Sequence, residues 1–142
     1  MFSPDGRWLA YSITIQPRSV VYVEAFPPTG TRHQLFTTAA DNPHHQVWAP
    51  NGKTLFYNPR AGSFESVSVT TQPTVAFGNP VPIPRPFTTG GVAVRRPFDI
   101  TPDGKFVGLL PAGQRDSGAT TAPVIQVVLN WQEELKQRVP VK

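Results

Sequence analysis

The sequence predicts an all-β protein built from about three similar strand–turn–strand units. A short pattern occurs three times, at residues 2–12, 48–58 and 100–110: an apolar residue, a small residue, Pro, Asp or Asn, and Gly, followed by an apolar stretch. The chain also contains 17 Pro and 11 Gly, residues that favour turns. No stretch before residue 130 has the apolar spacing of an amphipathic helix. A strand-based unit that recurs at roughly 50-residue intervals is typical of an array of β-blades.

Each copy of the pattern has the chemistry of a tight β-turn between two strands. Proline fixes φ at about −65° in the first turn position, and glycine adopts the positive φ that closes the turn. The apolar stretch that follows is a strand, and Leu55-Phe56-Tyr57 suits a strand that is buried on both faces. We therefore interpret Asp5, Asn51 and Asp103 as turn residues rather than metal ligands.

The predicted strands fall into three groups along the chain. The first group lies near residues 7–12, 20–26 and 33–37, with a loop over 13–19. The second group lies near residues 45–49, 53–58, 64–70 and 74–77. The third group lies near residues 93–100, 105–110 and 123–129.

Two further segments are predicted outside these groups. A Pro-rich connector over residues 79–92 is expected to be an extended surface segment, because proline cannot donate a hydrogen bond to a ladder. A short terminal helix is predicted over residues 131–138. Its acids, Glu133 and Glu134, precede its basic residues, an order that suits the helix dipole.

The three copies resemble the PD40 repeat, a WD40-like repeat of TolB-type β-propellers, with its aromatic-Ser-Pro-Asp-Gly-Lys pattern. Residues 124–136 also resemble the closing segment of propellers that end some bacterial serine/threonine kinases of eukaryotic type. The second copy departs from the pattern at Ala49 and Asn51, and the third has Ile100 in place of the aromatic residue. These changes keep the chemistry of the turn.

The resemblance implies a partial β-propeller of about three four-stranded blades, in one unit spanning residues 1–142. The implied blades cover residues 1–38, 39–78 and 93–130. Three blades are too few for a closed propeller, which usually has at least about four. The chain is therefore expected to be the C-terminal part of a larger propeller or a short reading frame derived from one. We expect self-association, most simply a dimer that completes a propeller, because an open arc exposes apolar blade faces.

Candidate functional residues follow from where the resemblance places the innermost strands, directly before each turn. Two such segments, residues 41–48 and 94–99, hold the candidates Asp41, Asn42, His44, His45, Arg95, Arg96 and Asp99. Histidine can act as a base near neutral pH, and arginine can grip a carboxylate or phosphate. Neighbouring strand residues point to opposite faces, so at most one of His44 and His45 is expected to face the channel. These residues are equally compatible with ordinary loop and strand-end positions.

Two functions remain open at this point. The first is a binding or scaffold module for a protein or small ligand, as in TolB-like and kinase-linked propellers. The second is a calcium-assisted hydrolase of the propeller-lactonase kind, which would cleave an ester or lactone. In that case Asp41, Asn42 and Asp99 would hold the calcium ion, and His44 or His45 would be the base. No Gly-x-Ser-x-Gly, His-Glu-x-x-His or P-loop motif is present.

Composition narrows the range of partners. The net charge is +4, but the 13 basic residues are scattered, so no nucleic-acid partner is indicated. No run approaches the roughly 18 apolar residues that a membrane span needs. With no cysteine, the sequence gives no redox information about its compartment. The first repeat follows Met1 at once without a signal peptide, which predicts a cytoplasmic chain as encoded, although the propellers it resembles are often extracytoplasmic.

Overall fold

A computed structural model describes residues 1–15, 17–38, 40–85, 87–88 and 91–110. These residues belong to one compact unit, and their regular elements are ten β-strands in antiparallel sheets. The all-β prediction is confirmed for this part of the chain, in which there is no helix and hence none able to cross a membrane. The predicted strand at 123–129 and the predicted helix at 131–138 lie outside the described residues.

The first sheet is a three-stranded antiparallel meander. Its strands are β1 (Trp8–Ile15), β2 (Arg18–Ala25) and β3 (Arg32–Gln34). The pairing of β1 with β2 runs from Trp8↔Ala25 to Ile15↔Arg18, so the loop predicted over 13–19 was wrong. The β-branched residues in that stretch favour extended backbone and prolong the hairpin. On the opposite edge of β1, Phe2 forms an isolated bridge with Leu9.

The second sheet has a meander of four strands and one added strand. The meander comprises β4 (His44–Trp48), β5 (Thr54–Asn58), β6 (Glu65–Thr70) and β7 (Ala76–Phe77). The added strand β8 (Val81–Pro82) pairs with the other end of β6. At β8 the connector is extended and exposed, as predicted, but its pairing with β6 was not foreseen from its prolines. The Ile83 amide donates to the Phe64 carbonyl at 2.9 Å, so a residue other than proline supplies the donor.

The third sheet, as far as the structure describes it, pairs β9 (Phe98–Ile100) with β10 (Phe106–Gly108). Both strands are shorter than predicted. The segment before β9 turns instead of extending, because the Val94 amide donates to the Gly91 carbonyl at 3.2 Å. The register places Val107 opposite Asp99.

The second sheet packs against the first sheet on one face and the third on the other. On β5, Leu55 and Tyr57 join the core shared with the first sheet, while Phe56 packs among the aromatic residues of the third. The prediction that this strand packs on both faces is therefore confirmed, and the two-residue period of a strand explains it. The second core is strongly aromatic: the Phe64 ring lies 5.2 Å from that of Phe98 and 5.4 Å from that of Phe106, centroid to centroid.

The three copies of the motif form the same turn. Each glycine has positive φ, at 72° for Gly6, 66° for Gly52 and 85° for Gly104. Each glycine amide also donates at 2.9 Å to the carbonyl three residues earlier. The turn role predicted for Asp5, Asn51 and Asp103 is borne out, since their side-chain oxygens accept hydrogen bonds from within the turn.

Candidate functional site

The two candidate segments lie side by side in the fold. The Nε2 atom of His45 contacts the Val94 carbonyl at 2.8 Å, so His45 Nε2 carries the proton that it donates. The Arg96 guanidinium donates to the Gln46 carbonyl at 3.2 Å. These contacts join β4 of the second sheet to the chain leading into β9 of the third.

His44 and His45 are arranged differently from the sequence expectation. Their pairing register with β5 shifts between His44 and Val47, and His45 has a positive φ of 55°. Because such a bulge re-aims side chains, the two rings contact each other at 4.6 Å instead of pointing to opposite faces. His44 is buried, and its Nδ1 donates to the Asn42 carbonyl at 2.6 Å. The alternation predicted for this pair was wrong because a regular strand was assumed.

Asp41 and Asn42 connect loops to the two sheets. One carboxylate oxygen of the buried Asp41 accepts hydrogen bonds from the Thr38 amide and hydroxyl, and the other lies 3.8 Å from the Arg60 guanidinium. The Asn42 side chain accepts a hydrogen bond of 2.6 Å from the Ser19 amide, and the Asn42 amide donates to the Pro59 carbonyl. Asn42 therefore has partners at the start of β2 and just beyond the end of β5, whereas Asp41 contacts the neighbouring loop residues Thr38 and Arg60.

Arg96 makes polar contacts with several parts of the fold, whereas Arg95 is exposed. Besides the Gln46 carbonyl, Arg96 donates to the Phe98 carbonyl at 2.8 Å. It also forms an ion pair of 3.2 Å with the exposed carboxylate of Asp99. The guanidinium thereby ties the segment before β9 to β4.

The structure does not bring the proposed calcium ligands into one cluster. In the described part of the chain, no three His, Cys, Asp or Glu side chains are arranged to hold a metal ion. Asp41 contacts Arg60, and Asp99 contacts Arg96 on a different sheet. The metal and hydrolase assignments stay predictions without a supporting geometry.

A feature that the sequence reasoning missed is an open apolar pocket of about 400 Å³, which we call the motif pocket. Corresponding positions of all three motif copies line it. The residues two positions before each proline contribute Phe2, Trp48 and Ile100. The prolines themselves contribute Pro4, Pro50 and Pro102, and Met1 and Thr101 complete the lining. A smaller adjoining pocket of about 290 Å³ shares Pro50, Ile100 and Pro102 with it.

The residues that line this pocket belong to the repeated motif, but the sequence alone did not indicate that they form a pocket. The same residues mark the three turns and the ends of β4 and β9, and from the sequence we interpreted them only as turn residues. Their convergence depends on how the three sheets stack, which no local pattern reports. A repeated motif at equivalent positions of neighbouring sheets brings its copies to one edge, and that is the signal that could have indicated the pocket.

Charged residues of the turns follow directly on the prolines of the pocket. Asp5 pairs with Arg7 at 2.9 Å and Asp103 with Lys105 at 2.6 Å, while Lys53 has Asn51 where the other turns have an acid. The Ser3 hydroxyl, with the amide and guanidinium of Arg7, lowers the pKa of Asp5 to about 2. The turns thus carry one more positive than negative charge around apolar walls.

Comparison of the chain with protein-family models, with curated proteins and with solved structures finds no match in any of the three. The chain's own geometry is therefore the basis for its function. That geometry consists of stacked antiparallel sheets, an apolar pocket where three equivalent turns meet, and polar candidate residues that contact other parts of the fold.

Proposed function

We propose that the chain is a section of a β-propeller of about three blades that works as a binding module for an apolar ligand group. The sheet order supports this, since the strands of the first and second sheets follow one another as a meander. The stacking supports it too, because the second sheet packs face to face with a neighbour on each side. A turn with the same sequence pattern precedes one strand of each sheet, namely β1, β5 and β10, as expected for repeated blades.

The observation that carries the binding function is the lining of the motif pocket by corresponding residues of all three copies. Its volume of about 400 Å³ lies within the range of roughly 300–1,000 Å³ that is usual for small-molecule sites. Its walls are aromatic, aliphatic and proline side chains, and Phe2 is about half exposed. An apolar molecule or side chain that covers these walls would gain the free energy of removing them from water.

Binding is favoured over hydrolysis by the state of the predicted catalytic residues. His44, His45, Asp41 and Asp99 all have partners within the fold. A general base must lie within hydrogen-bond reach of a bound substrate, whereas a binding pocket needs shape and apolar walls. The described residues provide the second set of features.

The test uses 2-naphthol as an apolar probe and the only methionine of the chain as the reporter. Met1 lines the motif pocket, so its ¹³C-labelled methyl resonance reports directly on occupancy. We expect a saturable shift of this resonance on titration. Replacing Phe2 with Ala should weaken binding by roughly fivefold, because one aromatic contact contributes on the order of 1 kcal/mol.

The matched control is Phe36→Ala, since Phe36 is 86% exposed and does not line the pocket. This variant should bind the probe as the parent chain does. Equal losses in both variants, or a methyl resonance that does not respond to the probe, would contradict the pocket assignment. Circular dichroism of both variants verifies that the β-structure is retained.

A further inference from the structure

The turn at residues 49–52 has an amide side chain where the other two copies of the motif have an acid. Asn51 is exposed, and it is the only asparagine of the chain that directly precedes a glycine. The backbone nitrogen of the residue after an asparagine can attack the Cγ atom of the asparagine side chain. Glycine hinders this attack least, because it has no Cβ atom and the most flexible backbone. Asn51 is therefore the position of the chain at which deamidation is chemically easiest.

The closed turn holds both reacting groups in other contacts. The Gly52 amide, which would supply the nucleophile, donates a hydrogen bond to the Ala49 carbonyl at 2.9 Å. The Asn51 side-chain oxygen accepts a hydrogen bond of 2.9 Å from the Lys53 amide, which keeps the Cγ carbonyl in place. The attacking nitrogen must give up its proton and approach Cγ, and both changes break its bond to Ala49. The reaction therefore proceeds from an open turn, and such opening is a local event that needs no global unfolding.

We propose that Asn51 is a site of spontaneous deamidation and that opening of this turn controls its rate. The Gly52 nitrogen bonds to Asn51 Cγ, the bond from Cγ to the side-chain nitrogen breaks, and the proton of the Gly52 amide leaves with that nitrogen as ammonia. One water molecule then opens the resulting succinimide ring. Opening at the former side-chain carbonyl gives Asp, and opening at the main-chain carbonyl gives isoaspartate.

The other two turns show that an acid is accommodated at this position. Asp5 accepts a hydrogen bond from the Arg7 amide at 3.1 Å, and Asp103 forms an ion pair with Lys105 at 2.6 Å. Lys53 is the corresponding basic residue of the second turn. The Asp product therefore keeps the conformation of the turn. The isoaspartate product does not, because its main chain is longer by one CH₂ group inside the hydrogen-bonded turn.

The modification also changes the charge beside the motif pocket. Asn51 lines the smaller adjoining pocket together with Asp103. The three turns carry three basic residues and two acids, so a carboxylate at position 51 removes their surplus positive charge; these residues are Arg7, Lys53, Lys105, Asp5 and Asp103. This change of charge follows from the chemistry alone and does not require that the pocket binds a ligand.

The experiment follows the 142-residue chain in a mildly alkaline buffer, in one sample folded and in another unfolded by guanidinium chloride. Peptide mapping by mass spectrometry quantifies Asp and isoaspartate at each asparagine, and Asn51→Asp supplies the reference for the Asp product. We expect modification of Asn51 in both samples. It should be at least about tenfold faster in the unfolded chain, because a turn that is open less than about a tenth of the time slows the reaction in proportion. Asn51→Gln should abolish modification at this position, since its longer side chain must close a larger ring.

Three other asparagines are internal controls. Asn42, Asn58 and Asn79 each precede a proline, whose nitrogen carries no hydrogen and cannot displace ammonia in this way. These residues should stay unmodified in both samples. Their modification at a rate comparable with that of Asn51, or an unmodified Asn51 in the unfolded chain, would overturn the assignment of the site. Equal rates at Asn51 in the folded and the unfolded chain would overturn the control by the turn.

Discussion

At the scale of single residues, the turn acids show how one side chain holds a local structure. Asp5 accepts hydrogen bonds from the Ser3 hydroxyl at 2.6 Å and from the Arg7 amide at 3.1 Å. Asn51 accepts the corresponding amide bond from Lys53 at 2.9 Å. The neutral side chain of Asn51 thus accepts the same backbone hydrogen bond as Asp5 does. Only the carboxylate of Asp5 also forms an ion pair, with Arg7.

The charge of Asp5 predicts a specific dependence of stability on pH. Its pKa is about 2 in the folded chain, below its ordinary value of 3.8, because the Ser3 hydroxyl and Arg7 stabilise the carboxylate. A lowered folded pKa contributes stability above the unfolded pKa, which is lost as pH falls from about 4 to about 2. Asp5→Asn should therefore flatten the fall in the free energy of unfolding over this interval, as measured by urea denaturation.

The reciprocal substitution Asn51→Asp serves as the control for this prediction. It should steepen the fall in stability between about pH 4 and pH 2, because it introduces a carboxylate beside the Lys53 amide. Parallel curves for the parent chain and both variants would show that the turn acids do not determine acid stability.

At the scale of elements, close packing explains why β10 contains a glycine, a residue that is uncommon in strands. Gly108 lies on β10, where glycine is unfavourable for a strand. A Cβ atom at this position would lie 2.6 Å from Cβ and 2.8 Å from Cγ of Phe87. The buried Phe87 ring thus packs directly on the backbone of β10 and contributes to the aromatic core between the second and third sheets.

Gly108→Ala should lower the free energy of unfolding by about 1–3 kcal/mol, the usual cost of overpacking a core. Chemical denaturation followed by far-ultraviolet circular dichroism measures the change. Gly91→Ala is the matched control, since no atom lies within 4 Å of a Cβ placed there and its φ is not positive. If both alanine variants are as stable as the parent chain, Phe87 does not pack on Gly108 as described.

At the scale of the whole molecule, the second and third sheets are held together by polar contacts as well as by apolar packing. Arg96 contacts the Gln46 carbonyl on β4, the Phe98 carbonyl on β9 and the carboxylate of Asp99. His45 adds a bond to the Val94 carbonyl from the bulge in β4. Arg96 and His45 thus link the second sheet to the third.

Arg96→Gln should lower the free energy of unfolding by roughly 1–3 kcal/mol, because it leaves carbonyl groups without a charged donor. Arg95→Gln is the control, since the side chain of Arg95, the residue before Arg96, is exposed. Urea denaturation of both variants distinguishes a structural Arg96 from one that serves only to bind a ligand. An Arg96 variant with parental stability would favour the ligand role.

The described strands show which features of the fold can be predicted from a sequence pattern and which cannot. The all-β class, the three turns and the packing of both faces of β5 were predictable, because turn chemistry and strand alternation are local properties. The bulge at His44 and His45 was not predictable, nor was the addition of Val81 to the second sheet. In both cases pairing with a distant strand determined the backbone.

The sequence by itself determined the repeat, its turns and the alternation of apolar residues, since Pro, Gly and β-branched residues limit the backbone wherever they occur. Only the tertiary structure decided which residues meet. The convergence of Phe2, Trp48 and Ile100 on one pocket, and the contact of Arg96 with Gln46, join positions about 50 residues apart. The physical reason is that stacking of sheets depends on the shapes of two complete faces, which no single segment of the chain contains.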